Sequence, residues 1–183
     1  MSEKICYVLG LGESIVEYLE SGQQGYTIGV NDIYRYVSTN VVVCIDNPTS
    51  FNTERQRIIN NSTPEHFYTH IPLWNHMPGY KRIKLLSGYP KAESLLTSDV
   101  YYSHNNSPFV ACQVAAKLGY NQIVVYGVDL NTHHQLSRPD AVNEILLRYE
   151  KMSAEMRKLG ISLFVGSENS QLKNVLPLWK EKN

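Results

Sequence analysis

The sequence shows no excess of charge of either sign and no long apolar run. Its 183 residues include 17 Lys+Arg and 17 Asp+Glu, which gives a formal net charge of +0. This balance argues against binding to nucleic acid or to an anionic membrane surface, both of which attract basic proteins. No apolar run approaches the roughly 20 residues of a membrane span, and no signal peptide is recognisable. We therefore expect a cytoplasmic protein in which residues 1–183 form one domain.

Cysteine is scarce, and the usual short motifs of metal and phosphate chemistry are missing. Cys6, Cys44 and Cys112 are far apart and lie in apolar runs, which predicts buried free thiols in a reducing compartment. The sequence has no Walker loop, no Cys-x-x-Cys, no His-Glu-x-x-His and no Gly-x-Ser-x-Gly elbow. We expect neither a metal nor a cofactor, and we do not expect a serine hydrolase.

Apolar runs alternate with amphipathic segments along most of the chain. The runs predict strands, and the amphipathic segments predict helices at 107–118, after Pro139 and at 171–179. The predicted strands are residues 4–9, 26–30, 40–45, 122–126 and 161–165. This order indicates an α/β fold, a single Rossmann-like open, mostly parallel sheet flanked by helices.

The middle of the chain, about residues 60–104, has weak periodicity. It holds four of the six histidines, and it has room for one or two short strands, with residues 83–86 as a candidate. A long segment without clear secondary structure is typically functional or disordered. We predict an irregular insertion or lid.

The turn after the first predicted strand carries Gly10, Gly12 and Ser14. Its backbone amides and hydroxyl suit a phosphate or a ribose, and ligands of such sheets bind at the carboxyl ends of the strands. A plain strand-to-helix turn is the alternative. The turn lacks the third glycine of the dinucleotide-binding fingerprint, which argues against binding of NAD.

Polar residues also follow other predicted strands, namely Asn31, Asn47 and Asp129. An amide offers a base or ribose both a donor and an acceptor, although each asparagine could equally cap a helix. Several neighbouring strand ends with such groups favour a shared ligand. His133 and His134, just beyond Asp129, are candidate acid–base groups, with solvated loop histidines as the alternative.

Several of these segments resemble bacterial sialyltransferases of glycosyltransferase family 42. Gly10-Leu-Gly-Glu-Ser14 resembles their Gly-x-Gly-Pro-Ser turn, and Asn31 and Asn47 resemble two asparagines that serve the cytidine nucleotide. Residues 106–120 resemble their Thr-Ser-Gly helix, which places Asn106 and Ser107 at the nucleotide. Residues 122–129 resemble their strand that ends in Gly-Ile-Asp. The first turn is also similar to that of motility-associated flagellin glycosyltransferases and archaeal hydroxymethyl-dihydropterin diphosphokinases.

The resemblance implies a small glycosyltransferase that binds a nucleotide-activated sugar, a CMP-sugar in the first instance. His133 or His134 would replace the catalytic histidine of the family, whose lid is largely deleted between Asp129 and the long helix. Leu11 and Glu13 also depart from the family turn. The alternatives are a non-catalytic nucleotide-binding protein and, third, an ATP-dependent diphosphokinase. A site left open by the short lid could be closed by a neighbouring subunit, so a homo-oligomer is a further hypothesis.

Overall fold

A computed structural model describes residues 3–97, 99–131 and 140–180. Seven parallel strands form the main sheet in the order β5-β4-β3-β2-β1-β8-β9, and two more, β6 and β7, form a small parallel sheet. The strands are β1 Ile5–Leu9, β2 Tyr26–Val30, β3 Val41–Val43, β4 His66–Thr69, β5 Tyr80–Arg82, β6 Lys84–Leu86, β7 Val100–Tyr102, β8 Gln122–Tyr126 and β9 Ser162–Val165. The fold is α/β and Rossmann-like, as the sequence predicts.

Helices cover both faces of the main sheet. The helices are α1 Ile15–Ser21, α2 Thr53–Asn60, α3 Ser94–Thr97, α4 Ser107–Lys117 and α5 Ala141–Arg157, with short 3₁₀ turns between other elements. Side chains from β1 alternate between the faces, so that Cys6 and Val8 pack with α4 and α5, while Tyr7 and Leu9 pack with α1. Burial on both faces explains why the central strands are continuous apolar runs.

Helix α4 lies at the centre of one layer and is buried along nearly its whole length. It packs against β1, β2 and β3 and carries the buried Gln113. The Gln113 amide accepts a hydrogen bond from the Tyr102 amide (2.9 Å) and donates to the Tyr102 carbonyl (2.7 Å). A buried polar side chain is stable only with such partners, and these bonds fix α4 to the small sheet.

The middle segment is more regular than the sequence predicts. Strands β4 and β5 from this segment extend the main sheet, and β6 and β7 form the second sheet. The other difference lies near the end of the chain, where only the 3₁₀ turn Gln171–Asn174 forms in place of a helix. Beyond it the Val165 amide donates to the Pro177 carbonyl (3.0 Å), and Pro177 cannot continue a helix.

Candidate functional site

The carboxyl ends of the seven parallel strands lie along one edge of the main sheet, which we call the carboxyl edge. The chain order of the strands reverses between β1 and β8, because the sheet continues through β2 on one side and through β9 on the other. Open α/β sheets bind their ligands at such a reversal. A ligand of this fold would therefore contact the residues at this edge.

The turn after β1 packs directly against the end of β8. The Gly12 amide donates to the Gly127 carbonyl (2.8 Å), and the Gly127 amide donates to Ser14 Oγ (2.9 Å). A Cβ at Gly10 would lie 2.2 Å from the Gly127 carbonyl oxygen, and one at Gly12 would lie 2.5 Å from Asp129 Oδ2. Both glycines are thus required by the close approach of protein to protein at this point.

Ser14 and Asp129, which the sequence predicts as nucleotide ligands, bind each other. The Asp129 carboxylate accepts hydrogen bonds from the Ser14 amide (2.9 Å) and from the Ser14 hydroxyl, and Ser14 is buried. This carboxylate lies at the first turn of α1, where the helix end favours an anion. The protein's own carboxylate therefore occupies the position that a phosphate would take at this turn.

Three polar side chains from separate elements meet between β2, β3 and the start of α4. The Asn31 amide donates to Asp46 Oδ2 (3.3 Å), and the Ser107 hydroxyl donates to Asn31 Oδ1 (3.4 Å). Asn31 adopts a left-handed backbone conformation (φ 50°), which asparagine tolerates better than most residues. Asn31 and Asp46 are half-buried. Ser107 is buried, so the accessible polar groups at this point of the edge are those of Asn31 and Asp46.

The other two predicted asparagines cap helices. Asn47 Oδ1 accepts hydrogen bonds from the Thr49 amide (3.1 Å) and hydroxyl (2.9 Å) at a 3₁₀ turn. Asn106 Oδ1 accepts from the Phe109 amide (2.9 Å) at the start of α4, and from the Tyr149 hydroxyl (3.4 Å). The side-chain oxygen of each asparagine therefore caps a helix or a turn, which is the alternative that the sequence leaves open.

Asp32, next to Asn31, is buried and serves the fold. It accepts from Arg55 Nε (2.9 Å) and Nη2 (2.6 Å), and Arg35 Nε lies 3.0 Å from its second oxygen. The Arg55 guanidinium also lies over the Phe51 ring, 4.6 Å from its centroid. These contacts hold α2 against the end of β2 and fix the backbone that presents Asn31.

His70, directly after β4, is a polar residue at the carboxyl edge that the sequence analysis does not identify. Its ring is half-buried, and its Nδ1 is buried without a hydrogen-bond partner among the described residues. Burial lowers the pKa of His70 from its usual value, and the nearby Asp46 carboxylate opposes that shift. The sequence signal for a strand before His70 is weak, because β4 has only two buried positions, Phe67 and Thr69, in a segment of low periodicity.

Another histidine, His104, has a structural contact of its own. His104 Nε2 lies 2.8 Å from the Gly88 carbonyl oxygen, and burial together with the Arg148 charge lowers its pKa. His133 and His134 lie outside the described residues. Within residues 3–97, 99–131 and 140–180 no group of three or more His, Cys, Asp or Glu side chains is placed to hold a metal ion. In the same ranges no helix is long and apolar enough to cross a bilayer.

Comparison with known proteins gives a fold relationship. No model of a known protein family matches the sequence, and no curated protein matches it. The structure is similar to that of the sialyltransferase CstII from Campylobacter jejuni in complex with a substrate analogue, CMP-3FNeuAc. The TM-score of this comparison is 0.58, the sequence identity is 14%, and the aligned region covers 96% of this chain and 85% of that chain. It is also similar to two single-residue variants of Cst-II in complex with CMP. Their TM-scores are 0.56 and 0.53, their identities 15% and 13%, and each comparison covers 96% of this chain and 86% of the other. The chain therefore has the fold of a glycosyltransferase.

Proposed function

We propose that this protein binds a nucleotide-activated sugar, a CMP-sugar, at the carboxyl edge and transfers the sugar to an acceptor hydroxyl. The observation that carries the proposal is the meeting of the half-buried Asn31 and Asp46 with the buried Ser107 between β2, β3 and α4. An amide, a carboxylate and a hydroxyl together supply the donors and acceptors that a base and a ribose require.

The distribution of charge favours one position for the phosphate of such a ligand. At the turn after β1 the Asp129 carboxylate and the exposed Glu13 would repel it. The start of α4 carries the neutral cap Asn106 and the hydroxyl of Ser107, and a helix of this length presents a partial positive charge there. The Asp46 carboxylate, which accepts from the Asn31 amide, would repel a phosphate as well. We therefore place the phosphate at the start of α4, on the side of Ser107 away from Asp46, with Gly10, Gly12, Ser14 and Asp129 as a rigid support.

The fold relationship supports this choice of nucleotide, because the similar solved structures are sialyltransferases in complex with CMP or a CMP-sugar analogue. Transfer also requires a proton acceptor for the attacking hydroxyl. His133 and His134 remain candidates by their place in the sequence.

A thermal-shift panel of CMP, UMP, GDP, ATP and NAD tests binding. CMP should stabilise the protein by about 2.7 kcal/mol at a hundredfold excess over its Kd. Asn31→Ala and Ser107→Ala should reduce this shift. Asn121→Ala is the matched control, because Asn121 Oδ1 accepts from the Lys4 amide at the opposite edge of the sheet (2.8 Å). No shift with any nucleotide, or an equal loss in the control, would contradict the proposal.

A non-catalytic nucleotide-binding protein is the second candidate. It is favoured by the short connection of residues 130–140 between Asp129 and α5, where the enzymes that the sequence resembles carry a lid. Incubation with a CMP-sugar separates the two candidates: release of CMP with or without an acceptor supports the transferase, whereas binding without any release supports the second. Consumption of ATP that depends on Mg²⁺ would instead support a diphosphokinase.

A further inference from the structure

A cavity of about 630 Å³ lies beside the edge of the main sheet, between β4, β5, β7 and the end of α4. Its size is within the range of about 300–1,000 Å³ that is typical of small-molecule sites. The cavity is lined by three tyrosines and three cations, namely Tyr68, Tyr80, Tyr101, Lys81, Arg82 and Lys117. None of Asn31, Asp46 and Ser107 lines it, so the cavity is separate from the proposed nucleotide site.

Two of the tyrosines contact each other at the inner wall of the cavity. The ring centroids of Tyr68 and Tyr101 are 6.4 Å apart, with the ring planes at 69°, and Tyr101 is buried. Tyr68 and Tyr80 are half-buried. Within the described ranges, neither of their hydroxyls forms a hydrogen bond with another residue. Both hydroxyls are therefore left to donate to a ligand or to accept from it.

Positive charge surrounds these tyrosines. Lys81 pairs with Tyr68 in the sheet, so the two side chains leave the sheet on the same face. Arg82 follows directly, and both cations are exposed. Neither of them takes part in an ion pair in the part of the chain that the structure describes. On the opposite wall the Lys117 ammonium lies over the Tyr101 ring, 4.7 Å from its centroid.

The rest of the lining adds one carboxylate and some exposed apolar surface. Asp99 stands against the three cations, which leaves an excess of two positive charges at the cavity. The Lys84 amide donates to the Asp99 carbonyl (3.1 Å), which fixes Asp99 where β6 and β7 begin. Leu96 and Leu118 also line the cavity and are 56% and 37% exposed. The ligand that matches this lining has a negative charge, hydroxyl groups and apolar CH groups.

We propose that the cavity binds an anionic saccharide, one that carries a uronic acid. The sugar carboxylate pairs with Lys81 and with Arg82, whose guanidinium can donate two parallel hydrogen bonds. The CH groups of the sugar ring pack on Tyr68 and the exposed leucines, and its hydroxyls bond to the tyrosine hydroxyls. An inorganic anion would leave the tyrosines unused, and an apolar ligand would leave the cations unused.

The first test compares three probes, D-glucuronate, D-glucose and acetate, in titrations of the wild type followed by protein NMR. Glucuronate should bind at least about tenfold more tightly than either of the others, because glucose lacks the charge and acetate lacks the ring and hydroxyls. Equal affinities for glucuronate and acetate would overturn the proposal, since they would indicate a site for any anion. Equal affinities for glucuronate and glucose, or no saturable binding of glucuronate, would overturn it too.

Substitutions at the opening then locate the site. Arg82→Gln should weaken glucuronate about tenfold and leave glucose unchanged. Arg57→Gln is the matched control, because Arg57 is also exposed but lies on α2, on the other face of the sheet. Tyr68→Phe should weaken both sugars, whereas Tyr36→Phe, at a 45% exposed position, should weaken neither. An equal loss in a cavity variant and its control would contradict the proposal. Because Arg82 is exposed, its replacement leaves the core intact.

Competition with CMP distinguishes this cavity from the proposed nucleotide site. The affinity for glucuronate should be the same with and without CMP, and the same in Asn31→Ala as in the wild type. Displacement of glucuronate by CMP would overturn a separate saccharide site. A protein that binds glucuronate but not CMP would support the saccharide site and contradict the proposed function.

Discussion

The contact between the first glycine turn and the end of β8 can be tested with two glycines of nearly identical backbone conformation. Gly127 has φ 68° and Gly22 has φ 69°, so an alanine at either position meets the same left-handed penalty of about 1–2 kcal/mol. The space around them differs. A Cβ at Gly127 would lie 2.5 Å from the carbonyl oxygen and 2.7 Å from the carbonyl carbon of Gly10, whereas nothing lies within 4 Å of one at Gly22.

The difference between Gly127→Ala and Gly22→Ala therefore isolates the cost of separating two backbones. No side chain can rotate away at Gly127, because the obstructing atoms belong to the main chain of β1's turn. Moving them stretches the hydrogen bonds from Gly12 to Gly127 and from Gly127 to Ser14. Forcing backbone shifts of this kind typically costs about 1–3 kcal/mol. We expect a total loss of about 2–5 kcal/mol for Gly127→Ala against about 1–2 kcal/mol for Gly22→Ala.

Urea unfolding followed by circular dichroism measures both values, provided that the unfolding free energy of the two variants falls equally steeply with urea concentration. In a domain of this size a difference of 1 kcal/mol also moves Tm by about 2–4 °C. Equal losses in the two variants would show that β1 and β8 do not approach as closely as described. The role of the turn as a rigid support would then have no basis.

Three further outcomes follow from burial and capping. Phe109→Ala should cost about 3–5 kcal/mol of unfolding free energy, because the ring is buried in the core, whereas Leu147→Ala, at a 43% exposed position, should cost less than about 0.5 kcal/mol. Asn106→Ala should cost about 1 kcal/mol through loss of the α4 cap, measured by the same urea titration. Burial raises the pKa of each cysteine thiol. A thiol-specific disulfide reagent at pH 8 should therefore label none of the three cysteines in the folded protein and all three in urea. Fast labelling of one cysteine in the folded protein would contradict this expectation.

The central sheet could be predicted from sequence because its strands are buried on both faces. Residues 26–30 and 122–126 are strands as predicted. Both segments are apolar enough to be recognised as strands without knowledge of the strands they pair with. Strand β5, Tyr80–Arg82, could not be found in this way, since two of its three residues are exposed at the edge of the sheet. Its pairing depends on β4, and that information lies in contacts between distant segments. The 3₁₀ turn that replaces the predicted last helix likewise depends on Pro177 meeting Val165.

The polar residues at the carboxyl edge could also be predicted from the sequence. The sequence could not show which of them bind each other and which are left to contact a ligand. Ser14 and Asp129 are separated by more than a hundred residues, and only the fold reveals that they satisfy each other. Once that pair is recognised, the crevice between β1 and β8 holds an internal anion. A phosphate would be repelled at this turn, which is why we propose the start of α4 as its position.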